Sequence, residues 1–435
     1  MKERARCCFK MVLGQRVSSE DRCQLPMTDR LYYHDSFLYD FDARVVESFA
    51  RDGRQAIVLD RTAFYPTSGG QVYDVGVLNV GDQQIAITEV ADEEDGRILH
   101  FASTPLAAAT KVRGSVDAAR RLDHVQQHSG QHVLSAAFIR LFNMPTVSFH
   151  MGEESCTIDL ETSGLSAAQA QKAERLANEV IAEDRPVSIR FVPLEEARQL
   201  GLRKLPPKQT GDLRLIDITD FDLTACGGTH VRATGQIGSI LLRKTEKVKQ
   251  GMRVEFVCGL RAVNTARRDY VTLTDAATLY SSHIYDVPEQ VRKSQAESKA
   301  AGKAQHKLLE ELAELYAERM LAQTAGSPQL VTQFFPDRDA VFIKLLAQKL
   351  TAGKSSVIAL LASGAGQATL VFAQTPGQKS NMGQLLKEAM AQLGGRGGGS
   401  ADMAQGGVPA GTLSQEKLEA LLQQTGASLK ASSQG

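Results

Sequence analysis

From Leu31 to about Asp117 the chain runs in short apolar stretches, such as Gln55-Ala-Ile-Val-Leu-Asp60 and Gln84-Ile-Ala-Ile-Thr-Glu89, separated by Gly and Asp turns. Several short strands at this spacing predict a small β-barrel. One segment breaks the pattern, Ala63-Phe-Tyr-Pro-Thr-Ser-Gly-Gly-Gln-Val-Tyr-Asp-Val-Gly76. Its Pro66, Gly69 and Gly70 predict a tight polar turn that a buried strand would not tolerate. Near Asp117 the period changes to that of a helix, with Asp117 as its cap and an end near Leu141. Strands are expected over 147–160, a helix over 166–183, a strand over 187–192, and further strands over 213–258. This mixture predicts a two-layer α+β domain.

Residues 287–322 are rich in Ala, Glu, Lys, Gln and Leu, and Leu308, Leu312 and Leu315 form an apolar stripe with Leu309 and Tyr316 beside it. The pattern predicts a long amphipathic helix, as a hairpin or short coiled coil, serving either as a spacer or as a dimer contact. Pro328 is expected to end it. The remainder predicts a small α/β domain. It comprises a helix over 339–350, strands over 357–361 and 369–373, a helix over 382–393, and a glycine loop over 394–407. No internal repeat is visible. The fold class expected is thus α+β and multidomain: a small β-barrel, a two-layer α/β domain, a long helical linker and a small C-terminal α/β domain. The boundaries are 27–115 for the barrel, 116–265 for the two-layer domain, 266–327 for the linker and 328–435 for the last domain. The first 26 residues show no periodicity and read as a disordered tail or a misassigned start.

At 435 residues, 43% apolar and 23% charged, the chain fits a globular protein of roughly two to four domains. Its formal net charge is zero, so contact with nucleic acid would need local basic patches. No apolar run reaches the length of a membrane span, and no membrane partner is expected. The six cysteines do not form a disulfide framework, which fits a reducing cytoplasm.

The candidate chemistry lies in histidine and cysteine. His124, His128 and His132 recur every four residues, so two of them share one helix face and can converge on an ion. Cys226 and His230 have the same spacing around Gly-Gly-Thr, where glycine lets the backbone turn. An imidazole pair with a thiolate and a further imidazole suits Zn²⁺. Spacing alone leaves open whether the pair is His124–His128 or His128–His132. No His-Glu-x-x-His run occurs, so a zinc protease has no support.

His128-Ser-Gly-Gln-His132 with Cys226-Gly-Gly-Thr-His230 resembles the paired metal motifs of alanyl-tRNA synthetase editing domains and of the freestanding AlaX proteins. Phe64-Tyr-Pro-Thr-Ser-Gly-Gly-Gln71, with Asp74 and Gly76, resembles that family's glycine-rich motif (Pro66, Thr67, Ser68, Gly69, Gly70 and Gln71). The run from Gly394 to Gly407 resembles the C-terminal domain shared by alanyl-tRNA synthetases and certain phosphoesterases. Too few residues precede the glycine-rich turn for an aminoacylation domain, so the resemblance is to the long AlaX form.

The resemblance implies one Zn²⁺ per chain on His128, His132, Cys226 and His230, and hydrolysis of Ser-tRNA(Ala), with Gly-tRNA(Ala) as a second substrate. The partner implied is tRNA(Ala) carrying the wrong amino acid. Gln131 and Thr229 are candidates for substrate or water contacts, and Thr146, Ser148 and His150 for recognition of the serine hydroxyl. Arg243, Lys244, Lys247, Lys249 and Arg253 form a basic cluster able to neutralise phosphates, with Arg203, Lys204, Lys208 and Arg214 as a second. The glycine loop could let backbone amides approach phosphate. A homodimer through the linker or C-terminal domain is expected. The rival reading is a non-catalytic tRNA-binding protein with a structural zinc. A phosphoesterase would need an Asp-His-His run, which is absent.

Overall fold

The computed structural model describes residues 27–203, 212–249, 251–365, 367–408 and 415–432. The first 26 residues, Lys204 and Lys208 therefore lie outside the described residues. The chain divides into two units, up to Leu273 and from Thr274 onward, and each is described by itself.

In the first unit, β1 (Asp40–Arg51), β2 (Arg54–Leu59), β3 (Gly76–Val80), β4 (Gln83–Asp92), β5 (Ile98–Ala102) and β6 (Lys111–Val116) close a barrel in the order β1-β2-β5-β4-β3-β6. All six neighbouring pairs are antiparallel. Alternation supplies the core: Ile85 and Ile87 on β4 point inward beside Phe41, Val45, Leu78 and Ile98. The helix α1 (Ala118–Phe142) follows β6 directly. Asp117 caps it by accepting from Arg120 N, and Asn143 ends it in a left-handed conformation. Such a cap contributes about 1 kcal/mol. Burial runs almost continuously from His124 to Phe138, so α1 is a central helix without one solvent face.

Barrel and helix are bolted together by a buried ion pair. Arg121 and Asp74 have side chains 0% and 1% exposed. Arg121 also donates to Ser36 O at 2.8 Å, and Asp74 accepts from Tyr65 N at 2.7 Å. Removing one partner of such a pair costs about 3–5 kcal/mol. Beyond α1, β7 (Thr146–Met151), β8 (Cys156–Leu160), β12 (Ile240–Val248) and β13 (Gly251–Cys258) form an antiparallel sheet in the order β12-β13-β8-β7. α1 and α2 (Ala167–Ala182) share its buried core. α2 starts with a capping box of Ser166 and Gln169. A separate sheet pairs β9 (Val187–Pro193), β10 (Asp212–Ile218) and β11 (Asp222–Ala225). The chain leaves the first unit within α3 (Gly259–Leu279), a helix that the periodicity did not single out.

In the second unit, α4 (Val287–Gln323) is one continuous helix, not a hairpin, and it ends before Pro328. The expected stripe splits. Leu309, Leu312, Ala313, Tyr316 and Ala317 join the core beside α5 (Ala340–Thr351), while Leu308 and Leu315 are exposed. The winning stripe recurs at three- and four-residue intervals starting one residue later. The sheet runs β14-β15-β16-β18-β17, from β14 (Gln329–Phe335), β15 (Val357–Ser363), β16 (Thr369–Gln374), β17 (Arg396–Gly399) and β18 (Met403–Gly407). β14 and β15 are parallel and the other pairs antiparallel. Alternate residues of β15 serve two cores, Ile358 and Leu360 on one face, Val357, Ala359 and Leu361 on the other. That is why this strand reads as an unbroken apolar run.

The glycine run expected to be a loop is instead the hairpin β17–β18. A side chain at Gly397 would meet Gly406 Cα at 2.6 Å, and one at Gly406 would meet Met390 Sδ at 2.6 Å. Glycine here lets the hairpin lie against α6 (Met382–Leu393), and pairing occupies amides that a phosphate site would need. A closing helix, α7 (Gln415–Ser432), was not foreseen. No helix among the described residues is long and apolar enough to cross a membrane.

Candidate metal centre

The two motifs meet. His128 and His132 project from successive turns of α1, and Cys226 and His230 bracket the turn that follows β11. The four side chains bring potential ligand atoms within 4.8 Å of one another. His128 Nε2 lies 3.1 Å from Cys226 Sγ. The rings of His128, His132 and His230 lie with centroids 4.6–5.1 Å apart. His124, one turn earlier, stands outside the cluster, so the histidine pair that converges with Cys226 and His230 is His128–His132. The approach depends on Gly228, where a Cβ would lie 2.5 Å from His128 Nε2.

The turn is held from four directions. Arg214 donates to Cys226 O at 2.6 Å, Gly228 O at 3.0 Å and Tyr33 O at 2.9 Å. Ser36 Oγ accepts from His230 N, and Ser129 Oγ, within the histidine motif, accepts from Val231 N. Gln71 accepts from Thr229 N at 3.1 Å and donates to Thr229 Oγ1 at 2.9 Å. Behind His132, Asp222 stands 3.8 Å from Nδ1 and is bridged to Arg203 by two 3.0 Å hydrogen bonds. Such partners orient ligands and hold their geometry.

At Cys226 and His230 the electrostatics suit a cation. Burial opposes ionisation of Cys226, yet the three imidazoles around it hold the thiol well below its usual range. Burial pushes His230 well below the ordinary histidine value, against the pull of the Cys226 thiolate. Neutral imidazole and thiolate are the forms that bind metal. His230 Nε2 is buried without a hydrogen-bond partner among the described residues, which is costly unless something else satisfies it. Three nitrogens and one sulfur at this separation fit Zn²⁺.

The cluster opens onto a cleft of about 350 Å³, whose walls include Gly69, Gln131, Thr146, Ser148, Phe149 and Arg203. Gln131 Nε2 donates to Ser135 Oγ at 2.8 Å, and Thr146 Oγ1 donates to the same oxygen at 2.7 Å. Ser148 reaches the cleft but gives its hydroxyl to Asp159 at 2.8 Å. In the glycine-rich motif, Ser68 and Gln71 exchange backbone hydrogen bonds of 2.9 and 3.0 Å around Gly69 and Gly70. Both glycines have positive φ, 57° and 84°, the requirement of a type I′ turn. A Cβ on Gly70 would lie 2.4 Å from Phe149 O, so this turn seats against the cleft wall. Pro66 is buried, and Thr67 Oγ1 accepts from Tyr73 N.

Several expected residues fall elsewhere. Thr229 is fully buried against Gln71 and does not line the cleft; a residue between two ligands on one tight turn faces away from both. His150 is exposed opposite Thr157 on the outer sheet face, also outside the cleft. Among the basic cluster, Arg243 is paired with Asp269, Lys244 with Glu246 and Arg253 with Asp159, while Lys247 and Lys249 have no ion pair among the described residues. Arg203 and Arg214, expected to meet phosphate, instead brace the metal site. Ser36, Ser135 and Asp222 were missed altogether, since lone Ser or Asp residues carry no spacing signal.

Three family models match parts of the chain. Residues 16–120 match tRNA synthetases class II (A), residues 213–254 the threonyl and alanyl tRNA synthetase second additional domain, and residues 327–431 the DHHA1 domain. The alanyl-tRNA editing protein AlaX-L of Pyrococcus horikoshii is 31% identical over 398 residues, 88% of this chain and 95% of that protein. The alanine–tRNA ligase of Pyrococcus abyssi is 32% identical over 421 residues, 92% of this chain but 44% of the ligase. The chain therefore spans less than half the length of that ligase. Among solved structures, the C-Ala domain of Aquifex aeolicus alanyl-tRNA synthetase matches 23% of this chain and 92% of that one, at 27% identity and a TM-score of 0.20.

Proposed function

This chain belongs to the alanyl-tRNA editing family, and we propose on that premise that it acts in trans to hydrolyse tRNA(Ala) carrying the wrong amino acid. Ser-tRNA(Ala) is the main substrate in this reading, and Gly-tRNA(Ala) a second. The observation that carries it is the convergence of His128, His132, Cys226 and His230, the first three of which line an open cleft. These residues would hold one zinc ion. When bound, zinc supplies Lewis acidity toward the ester carbonyl or the attacking water.

The rest is work for the chain's own side chains. The cleft has room for an aminoacyl group and part of its ribose. Gln131, with its amide anchored on Ser135, makes no hydrogen bond through Oε1 among the described residues. That oxygen is placed to accept from the substrate ammonium or from water. Thr146, donating to Ser135, keeps lone pairs to accept from a serine hydroxyl. Alanine has no group to fill that position, and a site built around a hydroxyl rejects the analogue lacking it. Thr229 and Gln71 keep the ligand turn in place and do not touch substrate. Lys247 and Lys249, at the tip of the β12–β13 hairpin, are the members of the basic cluster free to meet tRNA phosphates. The C-terminal unit adds a second handle, so a chain ending near residue 327 should bind tRNA more weakly.

Release of serine from Ser-tRNA(Ala), beside Ala-tRNA(Ala) and with a chelator control, tests the reading. Chelator-sensitive loss of serine with alanine spared supports it. The four-donor set is also that of a closed structural zinc site. Tight zinc and tRNA binding without release of either amino acid would establish that second reading.

A further inference from the structure

The barrel carries eight basic residues between 27 and 116, and they fall into two groups. Arg30 pairs with Asp92, Arg51 with Glu93, Arg54 with Glu89 and Arg97 with Glu47. The other four, Arg44, Arg61, Lys111 and Arg113, make no ion pair or side-chain hydrogen bond among the described residues. All four line a single groove of about 610 Å³ on the barrel's outer face. They come from different strands and from the segment after β2, so no local sequence pattern joins them.

The register puts them there. On β1 and β6 the even-odd alternation buries Phe41, Ala43, Val45, Val112 and Val116, and turns Asp42, Arg44, Lys111 and Arg113 outward. Arg44 stands directly opposite Lys111, and Asp42 opposite Arg113. Like charges facing each other across a strand pair destabilise the sheet, and a carboxylate at either position would have relieved this. Asp60, the groove's other acid, is engaged by Arg44 N at 2.8 Å. Four cations less Asp42 and Asp60 leave a surplus of two positive charges in a chain whose formal net charge is zero.

We infer that this groove binds the phosphodiester backbone of the tRNA substrate; the inference rests on the editing reading for the identity of the RNA. β6 runs straight into α1, which carries His128. Four strand residues and ten helix residues separate Arg113 from His128, a path of at most roughly 30 Å at about 3.3 Å and 1.5 Å per residue. Phosphates follow each other by about 3.4 Å per strand along a duplex axis. A groove at that reach meets phosphates within roughly nine nucleotides of an ester held in the cleft.

The test is binding of deacylated tRNA(Ala) by the full chain across about 50–200 mM salt, comparing wild type with Lys111→Glu/Arg113→Glu. Affinity should fall about tenfold or more, and the slope of log affinity against log salt should drop by about 1.5. Zinc content should stay unchanged. The neutral pair Lys111→Gln/Arg113→Gln should lose less affinity than the charge reversal. Unchanged affinity and slope in both variants would overturn the groove. So would displacement of tRNA by inorganic phosphate at constant ionic strength, which would reassign the groove to a small anion. The two readings fail separately. If wild type binds tRNA through Lys111 and Arg113 yet releases no serine, editing falls and the groove stands. If wild type releases serine and the variants bind as well as it does, the groove alone falls.

Discussion

The metal centre and the basic surfaces of the first unit are organised in opposite ways. At the centre, four donors come from two five-residue runs, are largely buried, and are held by neighbours that reach them with buried hydrogen bonds. On the surface, in the densest run of positive charge in the sequence, Arg243 to Arg253, Arg243, Lys244 and Arg253 are paired with Asp269, Glu246 and Asp159. Residues 44, 61, 111 and 113 instead converge without ion-pair partners among the described residues. In the proposed reading, chemistry is concentrated in few atoms that adjacent residues can specify. Grip is spread, in the same reading, over exposed charges whose meaning depends on which acids fold beside them.

The contrast predicts a gradient of effects. Cys226→Ala, at the top, should lose bound zinc and lower deacylation of Ser-tRNA(Ala) by about a thousandfold or more; single-turnover rates and metal analysis check it. Arg214→Met leaves the carbonyls of Cys226 and Gly228 unpaired in a buried place. It should cost about 3 kcal/mol in denaturant unfolding and weaken zinc about 10- to 100-fold.

The barrel core offers a control independent of metal. Burial lowers His100 to about 4, although its bond to Ile57 O acts the other way. The unfolded chain, with histidine near 6.5, then binds more protons than the folded one in the window from about 6.5 down to about 4. Stability is fully present above that window and should fall by about 3 kcal/mol as pH drops through it; His100→Phe should flatten this part of the unfolding curve. Thr146→Val should lower the preference for Ser-tRNA(Ala) over Ala-tRNA(Ala) by about tenfold, read as a ratio of kcat/KM values. The smallest effect is expected from Lys247→Glu/Lys249→Glu, a several-fold loss of tRNA affinity, estimated roughly from two exposed phosphate contacts, with single-turnover rates at saturation unchanged.

Much of this architecture was legible because it rests on local rules. Barrel alternation, the Asp117 cap, the Ser166 start and the 382–393 helix follow from period and capping chemistry, and the two metal motifs from residue spacing. What escaped depends on contacts distant in sequence. Arg203 and Arg214 look like phosphate ligands until Asp222 and the Cys226 carbonyl fold against them. The glycines after Leu393 look like a loop until Met390 and the facing strand claim the space where side chains would stand. Thr229 looks catalytic by position between two ligands, and only Gln71, 158 residues away, shows where its hydroxyl goes.

The most direct test of the central claim is a zinc titration of metal-stripped protein, with bound metal and the rate of serine release from Ser-tRNA(Ala) measured on the same samples. The account predicts that both rise together and level off at one zinc per chain, with no rise in either for Cys226→Ala. Full activity in metal-stripped protein, or one tightly bound zinc per chain with no release of serine, would contradict it.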